Sequence, residues 1–276
     1  MSNPPVFLDK VTLSAGRRAV LEGISLAVEE GEFVGVLGAN GAGKTTLFRA
    51  ILGLHPVSAG TIHVFGQPVR RGNPAIGYLP QARYQPPTSI LTGADVLIAS
   101  IAGNRLGLPT VSKAAARDID RVLELTNGEA LAKRPLSEMS GGERQRLLIA
   151  QALLGSPRMI LFDEPLIGLD PHQQHVVVAL VRDLSRSLKL TVLFSAHELN
   201  QLLGAIDRVL YLGHCCAALG TVDEVIRPDV LSKLYGAPIE VLRANGHIFV
   251  MSGGEDIERE HSHDHAQDHR HGHAHA

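Results

Sequence analysis

The first 80 residues alternate between short apolar runs and turn residues, a pattern typical of β-strands. The run 32–37 is almost continuously apolar, which favours a strand buried in a parallel sheet. A glycine-rich loop and a helix predicted at about 44–54 follow it directly. The other strands predicted in this stretch are 6–8, 20–21, 24–28, 61–65 and 76–80.

The pattern changes from roughly residue 81 to residue 134. Polar and proline-containing loops surround helical patterns at 94–101 and 113–126, which predict an inserted all-helical subdomain. Strand and helix then alternate again, which implies right-handed crossovers and a parallel sheet covered on both faces, so the predicted fold class is α/β. The elements predicted in this later stretch are a strand at 158–162, a helix at 171–188 and a strand at 191–195.

The C-terminal part has late strands predicted at 209–212 and 248–251, followed by a segment with almost no apolar residues. That composition cannot bury a core, so we expect disorder there without a ligand. Histidine recurs in it, at His261, His263, His265, His269, His271, His273 and His275. The predicted organisation is a main domain at 1–240 with its helical subdomain at about 82–150, a C-terminal strand at 241–252 and a tail at 253–276.

Composition narrows the class of protein. Hydrophobic residues make up 45% of the chain and aromatic residues 4%, with no Trp, which suits an aliphatic core. A formal net charge of −2 argues against a nucleic-acid-binding protein. The adjacent Cys215 and Cys216 form no easy intrachain bridge, which favours a reducing compartment. No apolar run reaches the ~18 residues that span a bilayer, and the N-terminus lacks signal-peptide features, so we expect a cytosolic chain unless another protein holds it at a membrane.

The loop at 38–45 matches the phosphate-binding pattern G-x-x-x-x-G-K-[ST] and lies between a predicted strand and a predicted helix, as that motif requires. Its glycines let backbone N–H groups surround phosphate oxygens, and the helix N-terminus adds partial positive charge. Lys44 is expected to reach the β- and γ-phosphates, and the Thr45 hydroxyl to ligate Mg²⁺. The residues predicted to bind the nucleotide here are Gly38, Ala39, Asn40, Gly41, Ala42, Gly43, Lys44, Thr45 and Thr46.

Two carboxylates, Asp163 and Glu164, end the apolar strand predicted at 158–162. Asp163 would face the metal ion directly or through water. Glu164 would orient or deprotonate a water in line with the γ-phosphate. Paired acids at a strand end can also be a solvated helix cap, and alone that interpretation is favoured. Together with the phosphate loop, the catalytic interpretation is favoured.

A Ser-Gly-Gly element, Ser140-Gly141-Gly142, opens another predicted helix shortly before the acidic pair. Two anion-binding helix starts in one chain indicate that a nucleotide is held from two sides. A small-molecule kinase with a phosphate loop would explain neither this element nor His197.

On these motifs the chain resembles the nucleotide-binding subunit of an ABC transporter, up to about Met251. The resemblance implies a P-loop NTPase with a RecA-like parallel sheet core, an N-terminal antiparallel β subdomain and an inserted helical subdomain. It implies ATP and Mg²⁺ as cofactors, with Thr45, Gln81 and Asp163 around the magnesium ion. Gln81 would sense both Mg²⁺ and the membrane partner.

The resemblance implies further roles and partners. Asp170 would lie in the D-loop, and His197 would be the switch histidine that contacts the γ-phosphate. Two copies would pack head to tail, so that each ATP lies between the phosphate loop of one chain and Ser140, Gly141 and Gly142 of the other. An integral membrane permease would dock on 82–97, which places the chain peripherally on the cytoplasmic side of the plasma (bacterial inner) membrane.

Three residues depart from the family pattern. Met139 stands where Leu is commonest, and Glu143 stands where many relatives carry Gln. Ala15 occupies the position at which the family usually has an aromatic residue that stacks on adenine. Such stacking is worth about 1–3 kcal/mol, so its loss predicts weaker nucleotide binding that depends more on the phosphate contacts.

Two features predict a metal cargo. The segments 76–81 and 234–241 resemble the manganese/zinc branch of bacterial uptake systems, which would receive their ion from an extracytoplasmic metal-binding protein. The histidines of the tail suit Zn²⁺, Ni²⁺ and Cu²⁺ better than Mn²⁺, so zinc is the predicted cargo and Zn²⁺ a predicted ligand of the tail. Manganese, nickel and iron-chelate import are alternatives. The tail is otherwise a solvated appendage without a role, or a sequence added for expression.

A soluble ABC ATPase without a transport role is the alternative from another class. DNA-repair types carry a long coiled-coil insertion before the signature, and the interval 46–140 has no heptad run of that length. Translation types usually carry two cassettes in one chain, and this sequence has one. Both observations favour transport.

Overall fold

A computed structural model of the protein describes residues 3–16, 18–81, 90–102, 112–252 and 255–256. The stretch 82–89 of the expected docking segment and the histidine-rich tail lie outside these ranges.

The first half of the chain contains β1 (Val6–Ala15), β2 (Arg18–Val28), β3 (Phe33–Leu37), α1 (Lys44–Ile51), β4 (Ala59–Val64), β5 (Gln67–Pro68), β6 (Ile76–Leu79), α2 (Gly93–Ala102), α3 (Lys113–Leu125) and α4 (Gly141–Leu153). The second half contains β7 (Met159–Phe162), α5 (Pro171–Leu188), β8 (Thr191–Ser195), β9 (Arg208–Gly213), β10 (Cys216–Gly220), α6 (Val222–Val225), α7 (Pro228–Tyr235), β11 (Ile239–Ala244), β12 (His247–Ser252) and β13 (Glu255–Asp256). Short 3₁₀ helices lie at Glu129–Leu131, Leu136–Glu138 and Leu199–Gln201.

The central sheet has six strands in the order β10-β9-β3-β8-β7-β6. The five strands from β9 to β6 are parallel to their neighbours, and β10 pairs antiparallel with β9 at one edge. Because the carboxyl ends of parallel strands meet at one edge of the sheet, the residues that follow β3, β6, β7 and β8 are brought together there.

Side chains of the central strands alternate between two cores. On β8, Val192 and Phe194 belong to a core that also contains α4 and α5 residues, whereas Leu193 belongs to a core shared with α1 and the N-terminal strands. Every residue of this strand is buried. Burial of both faces explains why the strand reads as an apolar run without polar alternation.

The N-terminal sheet is antiparallel, in the order β2-β1-β4-β5. The register between β1 and β2 shifts at three points between Leu8 and Ser14, and Lys10 has a φ of 48°. These irregularities interrupt the two-residue alternation of apolar positions. The sequence therefore predicted the separate strands 6–8, 20–21 and 24–28, whereas the structure has two long ones.

The helical part of the chain is fixed by caps and by a loop contact. Ser112 caps α3 by accepting a hydrogen bond from the Ala115 amide at 3.1 Å. The start of α2 is joined to the loop before α4 through an antiparallel bridge between Thr92 and Pro135. In α5, Asp170 caps the first turn and Pro171 occupies its first position, where the missing N–H costs nothing.

The C-terminal residues form a second antiparallel sheet, in the order β11-β12-β13. The sequence predicted one strand here, at 248–251. The sequence did not predict its partner β11, because the residues from Leu242 to Ala244 are all exposed and show no apolar alternation.

The predicted fold class is confirmed, with a parallel core sheet and an antiparallel N-terminal subdomain. Helix α5 and strand β8 have the predicted bounds. Within the described ranges, none of the helices combines the length and apolar character that crossing a bilayer requires.

Replacing Phe194 by Ala tests the core between the sheet and its helices. Its ring lies 5.8 Å from that of Phe33 and 5.5 Å from that of Phe162, and its side chain is fully buried. We expect the free energy of unfolding, measured by denaturant titration, to fall by about 3–5 kcal/mol. The control Phe7→Ala removes a ring that is 41% exposed and should cost much less. Equal losses in the two variants would contradict this account of the core.

Candidate functional site

The glycine-rich loop after β3 is shaped by backbone conformations that L-residues rarely adopt. Gly38 has a φ of 144°, and a Cβ there would lie 2.4 Å from the carbonyl oxygen of Leu212. Gly41 and Gly43 have φ values of 80° and 104°. Only glycine satisfies all of these constraints, and the result is a loop whose concave side is free of side chains.

Lys44 is the first residue of α1, and its side chain turns back into the loop. The Nζ atom donates a hydrogen bond to the Gly38 carbonyl at 2.7 Å and lies 3.5 Å from Oε1 of Glu164. The side chain is only 4% exposed. Burial lowers the pKa of Lys44 from its ordinary value, and the negative charge of Glu164 opposes that shift.

Asp163 accepts hydrogen bonds from three hydroxyl groups. Thr45 and Ser195 each donate to Oδ1 at 3.1 Å, and Tyr78 donates to Oδ2 at 3.3 Å. Burial and the neighbouring carboxylate raise the pKa of Tyr78 to about 12, so its hydroxyl stays protonated as a donor. Asp163 itself is fully buried, and these hydroxyls compensate the loss of water.

Glu164 has a φ of 51°, and its amide donates to Ser195 Oγ at 2.8 Å. Its carboxylate faces three groups: Lys44 Nζ, the side-chain amide of Gln81, which donates to Oε2, and His197, whose Nε2 lies 3.2 Å from Oε1. The hydrogen bond from His197 lowers the pKa of Glu164, and the charges of His197 and Lys44 lower it further against the effect of burial.

A cleft of about 360 Å³ opens beside the loop and the acidic pair. Three parts of the chain form its walls: the loop after β3, the ends of β7 and β8, and residues near the C-terminus. The lining includes Gly38, Ala39, Asn40, Glu164, Ser195, His197, Tyr235 and Val250. The cleft therefore opens onto Glu164 and His197, beside the glycine-rich loop.

Ser140, Gly141 and Gly142 are not among the residues that line this cleft. Ser140 caps α4 in a reciprocal arrangement: its Oγ accepts from the Glu143 amide at 3.2 Å, and Glu143 accepts from the Ser140 amide at 2.8 Å. Arg134 also donates to Glu143 at 2.6 Å. Either Glu or Gln can complete a capping box, so the ion pair with Arg134 is the structural reason for Glu at a position where many relatives carry Gln.

The residues predicted for nucleotide and Mg²⁺ fall into two groups. Lys44, Thr45, Gln81, Asp163, Glu164 and His197 come together through the contacts described above, with Ala39 and Asn40 on the cleft wall and Gly41, Ala42 and Thr46 in or next to the same loop. Ser140, Gly141, Gly142 and Asp170 lie at the starts of α4 and α5, where the Asp170 carboxylate caps a helix.

The donor set fits a magnesium nucleotide. The loop offers backbone N–H groups and a buried ammonium to phosphate oxygens, and a side chain at Gly38 would push the loop away from β9 through a clash with the Leu212 carbonyl. Thr45, Gln81 and Asp163 supply the oxygen ligands that Mg²⁺ prefers. In the part of the chain that is described, no three His, Cys, Asp or Glu side chains form a metal-binding cluster, and the predicted zinc ligands of the tail lie outside it.

Sequence reasoning missed Tyr78 and Ser195 as site residues. Tyr78 lies near the carboxyl end of β6, and Ser195 is the last residue of β8. Their positions at the ends of parallel strands, next to the strand that carries Asp163, were the signal that would have found them.

Comparison with known proteins supports the predicted family. The family model described as "ABC transporter" matches residues 21–167. The manganese transport system ATP-binding protein MntB of Bacillus subtilis (strain 168) is 35% identical over 251 residues, which cover 88% of this chain and 98% of MntB. The zinc import ATP-binding protein ZnuC of Yersinia pestis bv. Antiqua (strain Antiqua) is 37% identical over 214 residues, which cover 77% of this chain and 78% of ZnuC.

Two solved structures are similar in fold. A metal-chelate type ABC transporter in an inward-facing conformation superposes with a TM-score of 0.74 at 25% identity, covering 90% of this chain and 96% of that chain. A nucleotide-free ATP-binding cassette from an ABC transporter superposes with a TM-score of 0.72 at 23% identity, covering 83% of this chain and 98% of that chain.

Replacing His197 by Ala tests the electrostatic account of Glu164. Because the hydrogen bond from His197 is the largest cause that lowers the pKa of Glu164, we expect that pKa to rise in the variant. The carboxyl resonance of Glu164, followed by NMR against pH, measures the shift. The control His175→Ala removes an imidazole that bonds to the Pro171 carbonyl on α5, and it should leave the titration unchanged. If the pKa of Glu164 is unchanged or lower in His197→Ala, His197 is not the group that lowers it.

Proposed function

The chain belongs to the ABC transporter family, and on that premise we propose that it powers the import of a divalent metal ion, with zinc as the cargo. It is an ABC-type ATPase whose hydrolysis is coupled to transport. The single observation that carries the metal assignment is the similarity, at 35% and 37% identity, to ATP-binding proteins named for manganese transport and zinc import.

The choice of zinc over manganese rests on ligand chemistry. Manganese and zinc relatives are about equally similar to this chain, so identity alone does not separate them. The seven histidines between His261 and His275 offer imidazole nitrogens, which bind Zn²⁺ far better than Mn²⁺. Manganese stays the second candidate, because the manganese relative aligns over 98% of its own length.

We assign roles around the nucleotide from the contacts at the site. Lys44 and the loop amides hold the phosphates, while Thr45, Gln81 and Asp163 hold Mg²⁺, which neutralises phosphate charge when bound. Glu164 is placed to orient or deprotonate the attacking water. His197 stands next to Glu164 and would contact the γ-phosphate side of the cleft.

Ser140, Gly141 and Gly142 are proposed to act on the nucleotide of a second copy. Their absence from the lining of the cleft of the same chain supports this, because a phosphate-binding helix start needs an anion within reach. Two copies in head-to-tail contact would place Ser140 of each over Lys44 of the other. ATP then favours the closed dimer only through its higher affinity for that state.

An integral membrane permease is the proposed partner for transport. It would hold this chain on the cytoplasmic side of the membrane, and it would receive metal from an extracytoplasmic binding protein. Residues 82–97 are the proposed docking segment, of which 90–97 are described and include the exposed Ile90 and Leu91. Recovery of the chain with ribosomes rather than with a membrane subunit would favour a non-transport ATPase instead.

Replacing Glu164 by Gln tests its catalytic role. The amide cannot accept a proton from water, so ATP hydrolysis should fall by roughly 100-fold or more while ATP binding persists. Colorimetric phosphate release and fluorescent-nucleotide binding measure the two effects. Size-exclusion chromatography with ATP should detect a trapped dimer.

Glu129→Gln serves as the matched control, since Glu129 lies on an exposed 3₁₀ turn remote from the cleft lining. Its hydrolysis rate should equal that of the wild type. Unchanged turnover in Glu164→Gln would remove Glu164 from the catalytic role.

Metal uptake by cells tests the cargo. Cells whose native copy is replaced by Glu164→Gln should lose high-affinity uptake of ⁶⁵Zn²⁺ and retain that of ⁵⁴Mn²⁺. A strain carrying Glu129→Gln is the control and should transport normally. Loss of manganese uptake alone would transfer the assignment to manganese, and loss of neither would refute both the zinc and the manganese assignments.

A further inference from the structure

The C-terminal hairpin, formed by β11 and β12, is hydrogen-bonded to the segment that follows His197. The side-chain amide of Asn200 donates to the Ile248 carbonyl at 2.9 Å, and its Oδ1 accepts from the Ile248 amide at 2.9 Å. Both polar groups of the Asn200 side chain are thus satisfied by the backbone of one residue of β12. Such a two-point contact fixes the orientation of the amide as well as its distance.

Asn200 lies three positions beyond His197, in the 3₁₀ helix Leu199–Gln201. Leu199, just before Asn200, and Leu202, two positions after it, are both buried. The segment is therefore held by the packing of these two leucines and by the hydrogen bonds of Asn200 to the hairpin. The segment is short, and β8 ends at Ser195 just before it. The Asn200 contact therefore helps set where the backbone carrying His197 runs after it leaves the sheet.

The hairpin also forms part of the cleft wall. Ile248 and Val250 of β12 point inward and are each 6% exposed. His247, which lies between Ile248 and the turn of the hairpin, is exposed. Val250 lines the cleft together with His197, Glu198 and Gln201. The same strand thus bonds to the segment after His197 and lines the same cleft as the histidine.

The base of the hairpin is anchored to the main domain independently of Asn200. The amide of Ile239, the first residue of β11, donates to Ser232 Oγ of α7 at 2.9 Å. Near its turn, Arg243 of β11 pairs with Asp223 of α6. A change at Asn200 should therefore loosen one contact and leave the hairpin attached at both ends.

We propose that this hairpin controls the rate of ATP hydrolysis, with Asn200 as the positioning residue that holds the His197 segment against Glu164. The inference rests on the proposed roles of Glu164 and His197. The hairpin lies beyond residues 21–167, the part of the chain that the family model matches. Like His197 itself, it lies outside that match, and the side chain of Asn200 joins it to the segment that follows His197.

We expect loss of the Asn200 contact to change the turnover rate rather than the affinity for the nucleotide. Among the described residues, Lys44 and the loop form no hydrogen bond or ion pair with Asn200 or the hairpin, although the loop and Val250 line the same cleft. His197 contacts Glu164 at 3.2 Å, and catalytic rates are sensitive to displacements of about 1 Å. Loss of the Asn200 contact should lower kcat and leave KM for ATP nearly unchanged.

The test uses the full-length chain with Asn200→Ala. We expect kcat for ATP hydrolysis to fall roughly tenfold, with KM for ATP within about twofold of the wild type. Amide hydrogen exchange at residues 197–202 should become faster.

Two further variants separate positioning from general destabilisation. Arg243→Ala breaks an exposed ion pair of the same hairpin and should change neither kcat nor KM for ATP. Asn200→Asp keeps the acceptor for the Ile248 amide, but it turns the donor into a carboxylate oxygen that the Ile248 carbonyl repels. It should lower kcat in the same direction, and it carries the test if Asn200→Ala does not fold.

The proposal is overturned if kcat in the folded Asn200 variants matches that of the wild type. It is also overturned if Arg243→Ala produces the same losses. Both measurements use ATP hydrolysis by the isolated protein, so a failure here leaves the metal-import proposal standing. Conversely, loss of the metal assignment in the uptake assay would leave the hairpin result untouched.

Discussion

Burial of the Lys44 ammonium next to two carboxylates is the constraint on which the site depends. A buried cation is costly unless opposite charge and hydrogen bonds compensate it, and removing one partner of such a group typically costs about 3–5 kcal/mol. Here Gly38 supplies a carbonyl oxygen and Glu164 supplies charge, while Asp163 lies close enough to favour the ammonium. The loop, the acidic strand end and the start of α1 therefore have to form together.

The order of strands in the sheet brings together the groups that compensate the burial of the Lys44 ammonium. Lys44 follows β3, Tyr78 and Gln81 come from β6, the two carboxylates follow β7, and Ser195 ends β8. These strands are neighbours with parallel registers. Groups separated by 83 to 118 positions in the chain thus make direct hydrogen bonds. Because each of these side chains has buried partners, they are held in place before any nucleotide binds.

The sequence was informative where chemistry or burial imposes a local pattern. The loop at 38–45 carries its own signature, and α5 is marked by Asp170 and Pro171 at its start, so its bounds were predicted correctly. The hydroxyls of Tyr78 and Ser195 carry no such pattern, because their role arises only when β6, β7 and β8 lie side by side. The bulges of β1 and the exposed outer face of β11 erased the alternation that strand prediction uses.

The glycines at the start of α4 illustrate how one residue can satisfy two constraints. A Cβ on Gly142 would lie 1.9 Å from Oε1 of Gln173, and one on Gly141 would lie 3.1 Å from Leu169. Gly142 therefore leaves room for the Gln173 side chain of α5 to lie against the start of α4, whether or not a phosphate approaches it. This contact ties the Ser140 end of α4 to the segment that carries Asp170. In the proposed dimer both would approach the nucleotide of the other copy, so their close packing makes them move together. The Ser140-Gly141-Gly142 element, which first suggested a second phosphate site, is in this chain also the place where the start of α4 contacts α5.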